Sequence, residues 1–313
     1  MSVKRSEMMW QDTGKTYLSW EDLTERNAFK LHSLLRYTGL FHYMLWDREV
    51  VGPDFFERTG QFAPIYSMEM NVTDEPLHLG KPIVVDTTIR LGRTVDASGR
   101  TTRIVSQAEQ SLGATSPEGR DVVVGTLRKH SIFTRPGARP EDRQVCALHE
   151  SMGLGPQPRQ VFQLLTMLDL TVPPADFHPD PDRRSLVFAD THPHVWGYEQ
   201  TDPNRHVHAM DYVKVMEALG WDHLEAEGIF AGAHFYGGCR IVFRAPCFRG
   251  ERYLRTARFE SRDPAKGGGG VLMGQLLKVG EDGKPGDPAK PAVLIQLDVR
   301  PNAHPGSGGH DSE

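Results

Sequence analysis

The sequence contains little cysteine, and the few cysteines present are not spaced for pairing. They are Cys146, Cys239 and Cys247, with no C-x-x-C pair among them. An odd number without paired spacing argues against a disulfide framework and favours a reducing compartment. The N-terminal residues also lack the apolar run of a signal peptide. We therefore expect a cytoplasmic protein.

Long apolar stretches and an excess of basic charge are absent as well. No uninterrupted apolar run reaches the length needed to cross a bilayer. The formal net charge is −5, so the chain lacks the basic balance of a nucleic-acid binder. The charged fraction of 25% and the apolar fraction of 38% are those of an ordinary soluble protein. We expect no nucleic acid and no membrane among its partners.

Common catalytic signatures are also missing. The sequence has no G-x-S-x-G, which disfavours the serine mechanism of α/β-hydrolases, and no G-x-x-x-x-G-K-[ST] phosphate loop. Histidines cluster between residues 192 and 208, but no carboxylate or cysteine stands at a clear zinc-ligand spacing. We therefore predict no metal site and no cofactor bound by the protein itself.

What the sequence does contain is a weak internal repeat. Residues 65–81 align with residues 235–251 at a single offset of 170. The identical pairs are Tyr66 with Tyr236, Pro76 with Pro246, and Gly80 with Gly250. Both stretches continue into strand-like segments, and 313 residues are enough for two domains with sizeable cores.

Each half has the same predicted order of elements. A periodic apolar helix over 23–37 precedes Gly39, and a second helix runs from the end of the stretch 201–208 to Gly220. Strand candidates separated by turn signals follow in both halves, at 83–91, 102–110 and 122–133, and at 253–260, 271–279 and 292–299. No helix pattern separates these later strands, so alternating βαβ units are disfavoured. We predict an α+β fold in which an antiparallel sheet wraps around one long helix, present twice.

The most informative stretch is T-D-P-N-R-H-V-H-A-M-D-Y, residues 201–212, at the start of the second helix. It sets Asp202, Asn204 and His206 at alternate positions. A helix N-terminus offers unpaired N–H groups and partial positive charge, where a carbonyl oxygen can gain negative charge. Aspartate or histidine can activate water, and asparagine can hold the water or the carbonyl. A helix-capping role explains one of these residues but not all of them.

The motif resembles that of hot-dog-fold acyl thioesterases. The closest form is the Asp-x-Asn-x-His-Val-Asn signature, followed by a tyrosine, of fatty acyl–acyl-carrier-protein thioesterases, which also have two hot-dog repeats in one chain. The resemblance implies that Asp202, Asn204 and His206 are catalytic. It places His208 where asparagine is usual, and it matches Tyr212 to a tyrosine that serves packing.

The sequence departs from the family at one catalytic position. The family uses a glutamate followed by cysteine on the strand after the helix, and the alignment puts Cys247 on the cysteine but Pro246 on the glutamate. Proline cannot act as a base. The carboxylates that could substitute are Glu251 and, from the first half, Asp74 and Glu75.

The resemblance also implies the domain organisation and the substrate-binding residues. We expect a degenerate, pocket-shaping hot-dog domain at 1–135, a linker with a helix (the apolar-periodic stretch 158–170) at 136–184, a catalytic hot-dog domain at 185–300 and a disordered tail at 301–313. The pocket should lie between the halves, with Tyr66 facing the catalytic motif. The candidate substrate-binding residues are His208, Tyr66, Tyr236, Arg240, Arg244 and Cys247.

The function implied is hydrolysis of an acyl thioester in fatty-acid or polyketide metabolism. The partner would be acyl carrier protein or acyl-CoA, whose phosphopantetheine or coenzyme A belongs to the substrate, and a homodimer stays open. One alternative is a polyketide-tailoring acyltransferase, decarboxylase, dehydratase or cyclase. Hydratases of this fold place histidine five residues after aspartate, where this chain has Val207. A second alternative is an acyl-binding module without catalysis.

Overall fold

The computed structural model describes residues 8–52, 54–137, 139, 142–154, 157–183, 185–202, 205–229 and 234–303. From residue 304 onward, the tail predicted to be disordered lies outside the described residues. Pro203 and Asn204, which belong to the predicted catalytic motif, also lie outside the described residues.

An antiparallel sheet of eleven strands dominates the described part of the chain. Along the sheet the order is β1-β3-β4-β5-β2-β8-β11-β10-β9-β6, and β7 pairs with β9 beyond this path. The strands are β1 (Met9–Tyr17), β2 (Ile65–Val72), β3 (Pro82–Val95), β4 (Thr101–Thr115), β5 (Asp121–Ile132), β6 (Leu186–Ala189), β7 (His194–Val195), β8 (His234–Phe243), β9 (Arg252–Ser261), β10 (Gly270–Val279) and β11 (Val293–Pro301). The second half of this order mirrors the first, so two half-sheets meet edge to edge.

The two half-sheets join where β2 pairs with β8. We call this ladder the β2–β8 seam; it pairs residues 67–71 with residues 238–242, with Glu69 opposite Arg240 at its centre. The inner side chains of the seam, among them Met68 and Ile241, are fully buried. The seam therefore makes the two halves one continuous body.

Each half-sheet wraps around one long helix. These helices are α1 (Leu34–Leu45) and α3 (Ala209–Ala226), and a short helix, α2 (Phe55–Thr59), lies between α1 and β2. Leu34 of α1 and Met216 of α3 have no exposed surface and belong to a single apolar cluster that includes strands of both halves. Burying one such side chain stabilises the fold by about 1.5–3 kcal/mol. The α+β class and the tandem hot-dog architecture predicted from the sequence are confirmed.

The repeat is visible in the backbone as well as in the sequence. Gly80 and Gly250 both have φ of 84°, in the turns that lead into β3 and β9. Glycine adopts this left-handed conformation without the steric cost that a Cβ imposes. The same turn is thus built by the same residue in both halves.

The first helix begins later than predicted. Leu23, Phe29 and Leu31 are buried as expected. Leu23 and Phe29 form an isolated antiparallel bridge, however, Leu31 lies in a turn, and α1 starts at Leu34. Thr24 is the reason, because its hydroxyl accepts the backbone N–H of Arg26 and of Ala28, which competes with helix formation. After Leu45 the chain continues as a π-helical turn, Trp46–Val50.

Neither glycine predicted to end a helix does so. Gly39 lies within α1 and Gly220 within α3, which continues to Ala226. A Cβ on Gly220 would collide with the hydroxyl of Tyr236 and press on Leu272, so glycine lets α3 approach the sheet closely. A Cβ on Gly39 would meet nothing within 4 Å.

The linker does not contain the predicted helix. Across 157–170 the helical part is a single 3-10 turn, Leu168–Leu170, and the rest runs extended over the outer face of the sheet. Phe162 donates its N–H to the carbonyl of Arg93 at 2.9 Å, and its ring lies where a Cβ on Gly92 would be. Pairing with β3 therefore provides backbone hydrogen bonds that a helix would otherwise provide. Across the described residues, no helix is both long and apolar enough to span a membrane.

The glycines in α1 and α3 offer a matched test of this packing. Gly39→Ala should raise the free energy of unfolding by up to about 1 kcal/mol, because alanine favours helix and the site is open. Gly220→Ala gains the same propensity but overpacks the core, which costs about 1–3 kcal/mol, so we expect net destabilisation. Urea denaturation of both variants measures the difference. Equal shifts in the same direction would contradict the close approach of α3 to β8 and β10.

Candidate active site

The predicted catalytic motif around Asp202 and His206 forms a tight turn ahead of α3. The N–H of Asp202 donates to the carbonyl of His206 at 2.8 Å, and the N–H of His206 donates to Oδ1 of Asp202 at 2.9 Å. Arg205 has φ of 67°, a left-handed conformation that costs energy for a residue with a Cβ. The turn is therefore closed by the Asp202 carboxylate and holds a strained residue next to His206. Asn204 lies outside the described residues.

This turn is held against the segment that follows β8. Val207 donates its backbone N–H to the carbonyl of Cys247 at 2.9 Å, and Arg249 donates its backbone N–H to the carbonyl of Arg205 at 2.9 Å. The His206 ring meets the Phe248 ring edge to face, with 4.9 Å between centroids. Short strand-like pairing thus brings His206 next to Cys247, two residues that the sequence predicted as parts of one site.

Cys247 is buried, and its surroundings disfavour a thiolate. Its thiol lies in the core, where burial raises the pKa of the thiol. Its backbone N–H donates to the hydroxyl of Tyr212 at 3.0 Å, and the Tyr212 ring packs edge to face on Trp196. Tyr212 therefore fixes the backbone of this segment from within the core, as its predicted packing role requires.

A buried carboxylate that sequence reasoning missed lies in the first turn of α3. His208 precedes the helix, and Asp211, one turn on, is 5% exposed. Burial raises the pKa of Asp211, while the nearby His208, Lys214 and His32 act in the opposite direction. Its Oδ2 has no hydrogen-bond partner among the residues that the structure describes. Aspartate is common in the first turn of a helix, where it interacts favourably with the helix dipole. The sequence alone therefore did not identify Asp211 as a candidate site residue.

The first half contributes Tyr43 to the surroundings of the turn. Tyr43 lies on α1, and its ring is more than half exposed. Desolvation raises the pKa of Tyr43, and the negative charges of Asp202 and Asp47 add to this rise. The last turn of α1 is thus close enough to the start of α3 for Asp202 to act on Tyr43.

Next to Tyr43 the first half buries a lysine. Lys129 on β5 is 4% exposed, and its Nζ lies 5.6 Å from the centroid of the Tyr43 ring. Burial lowers the pKa of Lys129 to about 7. His42, also buried, has its pKa lowered well below the usual range by burial and by the charge of Lys129. Sequence reasoning missed both Lys129 and His42. A single lysine in a strand pattern is ordinarily assigned to the solvent-facing side.

Two of the three carboxylates considered as substitutes for the family glutamate, Glu251 and Asp74, have other contacts. Glu251 accepts the N–H of Phe248 at 2.9 Å and pairs with Nζ of Lys278 at 2.8 Å. Asp74 accepts the N–H of Ala303 at 2.6 Å. Glu251 lies close enough to Cys247 to oppose ionisation of the thiol. Of the two, Glu251 lies in the segment after β8 against which the turn is held.

Tyr66 and Arg240 lie on the outer face of the sheet. A β-bulge between Ile65 and Ser67 turns Tyr66 outward, so it does not face the Asp202 turn as predicted. It lines an outer cavity of about 630 Å³ under the linker. Arg240 donates to Oε1 of Gln296 at 3.1 Å on that same face.

Arg244 and Tyr236 are also separate from the turn. Arg244 is exposed and donates to the carbonyl of Lys290 at 2.9 Å. Tyr236 is buried on the inner face, and its hydroxyl donates to the carbonyl of Glu217 at 3.0 Å. It lines a second cavity, which we call the interface pocket.

The interface pocket lies between the halves and has a volume of about 430 Å³. Its walls are residues 24–32 of the first half and, from the second half, α3 and the start of β8. His32 and Glu217 meet in it, with Nδ1 of His32 hydrogen-bonded to Oε2 of Glu217. A pocket between the halves was expected, but Asp202 and His206 do not line this one. Nowhere in the described ranges do three His, Cys, Asp or Glu side chains group as metal ligands.

No protein-family model and no curated protein matches the sequence. Solved structures do match the fold. A Lactobacillus plantarum protein assigned as an oleoyl thioesterase is 11% identical, with 94% of this chain and 96% of that chain covered and a TM-score of 0.59. A 12:0-ACP thioesterase from Umbellularia californica is 12% identical over 94% and 95% of the two chains, with a TM-score of 0.58. An acyl-ACP thioesterase from Bacteroides thetaiotaomicron is 9% identical over 95% and 100%, with a TM-score of 0.56. The chain has the double hot-dog fold of these proteins.

The buried lysine makes stability depend on pH in a direction that can be measured. In the unfolded chain a lysine has a pKa of about 10.4. Between about pH 7 and pH 10 the unfolded state binds more protons at Lys129, so native stability rises with pH. Below about pH 7 both states are charged, and the full cost of burial is present.

Lys129→Met should therefore stabilise the protein most below neutral pH, by on the order of 1–4 kcal/mol, and progressively less towards alkaline pH. Urea unfolding at several pH values measures this change. Leu127→Met, on the same strand face, controls for exchange of core side chains and should show no such pH dependence. A gain for Lys129→Met that is constant with pH would mean that the ammonium is not desolvated.

Proposed function

We propose that the chain hydrolyses an acyl thioester carried by acyl carrier protein or coenzyme A. The observation that supports this most is the closed turn that presents Asp202 and His206 at the mouth of α3, docked on residues 247–249. The double hot-dog fold, shared with thioesterases, is consistent with it. This activity belongs to fatty-acid or polyketide metabolism in the cytoplasm.

In the proposed reaction His206 or Asp202 is the general base. A water molecule attacks the thioester carbonyl while the base takes its proton, the C–S bond breaks, and the thiol leaves with that proton. Asn204 positions the water or the carbonyl. The N–H groups of residues 206–208 are already hydrogen-bonded to Asp202, Cys247 and Gln200, so the positive end of the α3 dipole is left to stabilise the oxyanion.

Asp202 has a structural role, which must be separated from its proposed role as a general base. Its Oδ1 accepts the N–H of His206, so removal of the whole carboxylate would open the turn. Asp202→Asn keeps an acceptor oxygen for that hydrogen bond and removes the base. It is therefore the informative variant, whereas Asp202→Ala would change both the shape of the turn and its chemistry.

We expect Asp202→Asn and His206→Ala each to lower kcat at least about a hundredfold, the usual cost of removing a positioned acid or base. Steady-state hydrolysis of acyl-CoA and acyl-carrier substrates, followed by thiol release, measures this. His192→Ala is the matched control, since His192 is an exposed histidine earlier in the same half. Full activity of His206→Ala with an intact fold would rule out the assigned role.

Cys247→Ala should retain most of the activity. The buried thiol has a raised pKa, and the hydrogen bond to Tyr212 comes from the backbone, which alanine preserves. Mass spectrometry of the wild type during turnover should find no acyl group on Cys247. An inactive Cys247→Ala variant with native stability, together with an acylated thiol in the wild type, would replace this mechanism by acyl transfer through cysteine.

A further inference from the structure

The outer cavity lies between the linker and the outer face of the first half-sheet. Strands β2 to β5 form its floor, and linker residues 161–164 and 166 form its roof. Phe162 in the roof donates its N–H to the carbonyl of Arg93 at 2.9 Å, and beyond the roof Gln296 donates its side-chain amide to the carbonyl of Val172 at 2.9 Å. The roof is therefore tied to the sheet at two points. The cavity volume of about 630 Å³ is in the usual range for small-molecule sites, which are largely pre-formed.

One positive charge lines the outer cavity without a counter-charge. Arg103 on β4 is partly buried, and its guanidinium group forms no hydrogen bond and no ion pair with the residues that the structure describes. No carboxylate occurs among the described residues that line the cavity. An arginine offers five N–H donors and stays charged, and partial burial of a charge is unfavourable until it is paired. The cavity therefore favours an anion.

Two further polar groups of the lining are available with Arg103. The hydroxyl of Tyr66 and the side-chain amide of Gln163 form no hydrogen bond with the described residues, whereas the hydroxyl of Thr166 already donates to Oδ2 of Asp169 at 2.7 Å. Burial raises the pKa of Tyr66; the positive charge of Arg103 opposes this rise, and the negative charge of Asp169 adds to it. The Tyr66 hydroxyl therefore stays protonated at neutral pH and can donate to an anion.

The rest of the lining is mainly apolar. Aliphatic and aromatic side chains come from both floor and roof: Val95, Ile132, Val161, Phe162 and Leu164. A ligand that matches the cavity thus has an apolar body and an anionic head, because a planar guanidinium binds a carboxylate or a phosphate through two parallel hydrogen bonds. A cationic head would be repelled by Arg103. A neutral chain would displace water from the guanidinium without replacing its hydrogen bonds.

We propose that the outer cavity is a binding site for a small organic anion with an apolar body, whose carboxylate or phosphate head is bound by Arg103, with Tyr66 and Gln163 as further donors. None of the described residues between 202 and 208 lines this cavity. The site is therefore separate from the proposed active site, and its occupation does not require thioester hydrolysis.

The head group is tested by calorimetric titration with four ligands of one chain length: decanoate, decyl phosphate, decanamide and decylamine. We expect at least one of the two anions to bind at least about tenfold more tightly than neutral decanamide, since hydrogen bonds between charged groups are about twice as strong as neutral ones. Decylamine, a cation at neutral pH, should bind most weakly. The comparison of decanoate with decyl phosphate identifies the preferred head. Anions that bind no more tightly than decanamide would overturn the proposal.

Arg103→Met tests whether this preference comes from the outer cavity. The variant removes the charge, keeps a long side chain and breaks no hydrogen bond or ion pair with the described residues. It should weaken binding of the preferred anion at least about tenfold and leave decanamide binding unchanged. Arg128→Met is the matched control, because Arg128 is an exposed arginine of β5 outside the lining, and it should keep the preference. An anion preference that survives in Arg103→Met would contradict the assignment.

A second pair of variants tests the location without removing a charge. Val161→Trp fills the cavity from a half-exposed position in the roof and should weaken binding of every ligand at least about tenfold. Val172→Trp changes an equally exposed valine of the same linker outside the lining and should not. Asp202→Asn should also bind the anion normally, so a failure of the proposed hydrolysis would leave this site intact. Undiminished anion binding in Val161→Trp would place the ligand elsewhere and end the proposal.

Discussion

The β2–β8 seam is the interaction on which the rest of this structure depends. Five residue pairs join the half-sheets, and their register fixes how the second half is placed on the first. Because α1 and α3 are each held by their own half-sheet, the seam also sets which part of one helix faces the other. The approach of Tyr43 to the Asp202 turn, and of His32 to Glu217, both follow from it.

Much of the fold was predictable because its signals are local and occur twice. Strand patterns, turn glycines such as Gly80 and Gly250, and the helix-start motif each depend on a few neighbouring residues. Two of the failures, the helix end at Gly220 and the helix in the linker, come from tertiary packing. Gly220 is in α3 because Tyr236 and Leu272 leave no room for a side chain, and no feature near it in sequence shows this.

The candidate site was predictable only in part for a related reason. The turn around Asp202 and His206 is a sequence motif, and its neighbour Cys247 was found through a resemblance. Lys129, His42 and Asp211 are notable because they are buried, and burial is a property of the folded chain. Tyr66 was predicted to be part of the site but lies on the outer face of the sheet, because a β-bulge reverses the direction of its side chain. The pairing of His32 with Glu217 joins residues 185 positions apart.

Having both halves in one chain has a consequence for how such a protein can change. In a symmetric homodimer every substitution appears at both copies of a site, so neither copy can vary alone. Here the segment just before α1 carries His32, which pairs with Glu217, and the segment just before α3 carries the turn of Asp202 and His206. Each can be altered by mutation while the other keeps its chemistry. Covalent linkage of the repeats thus lets the two helix starts, which would be identical in a symmetric dimer, diverge independently in sequence and in contacts.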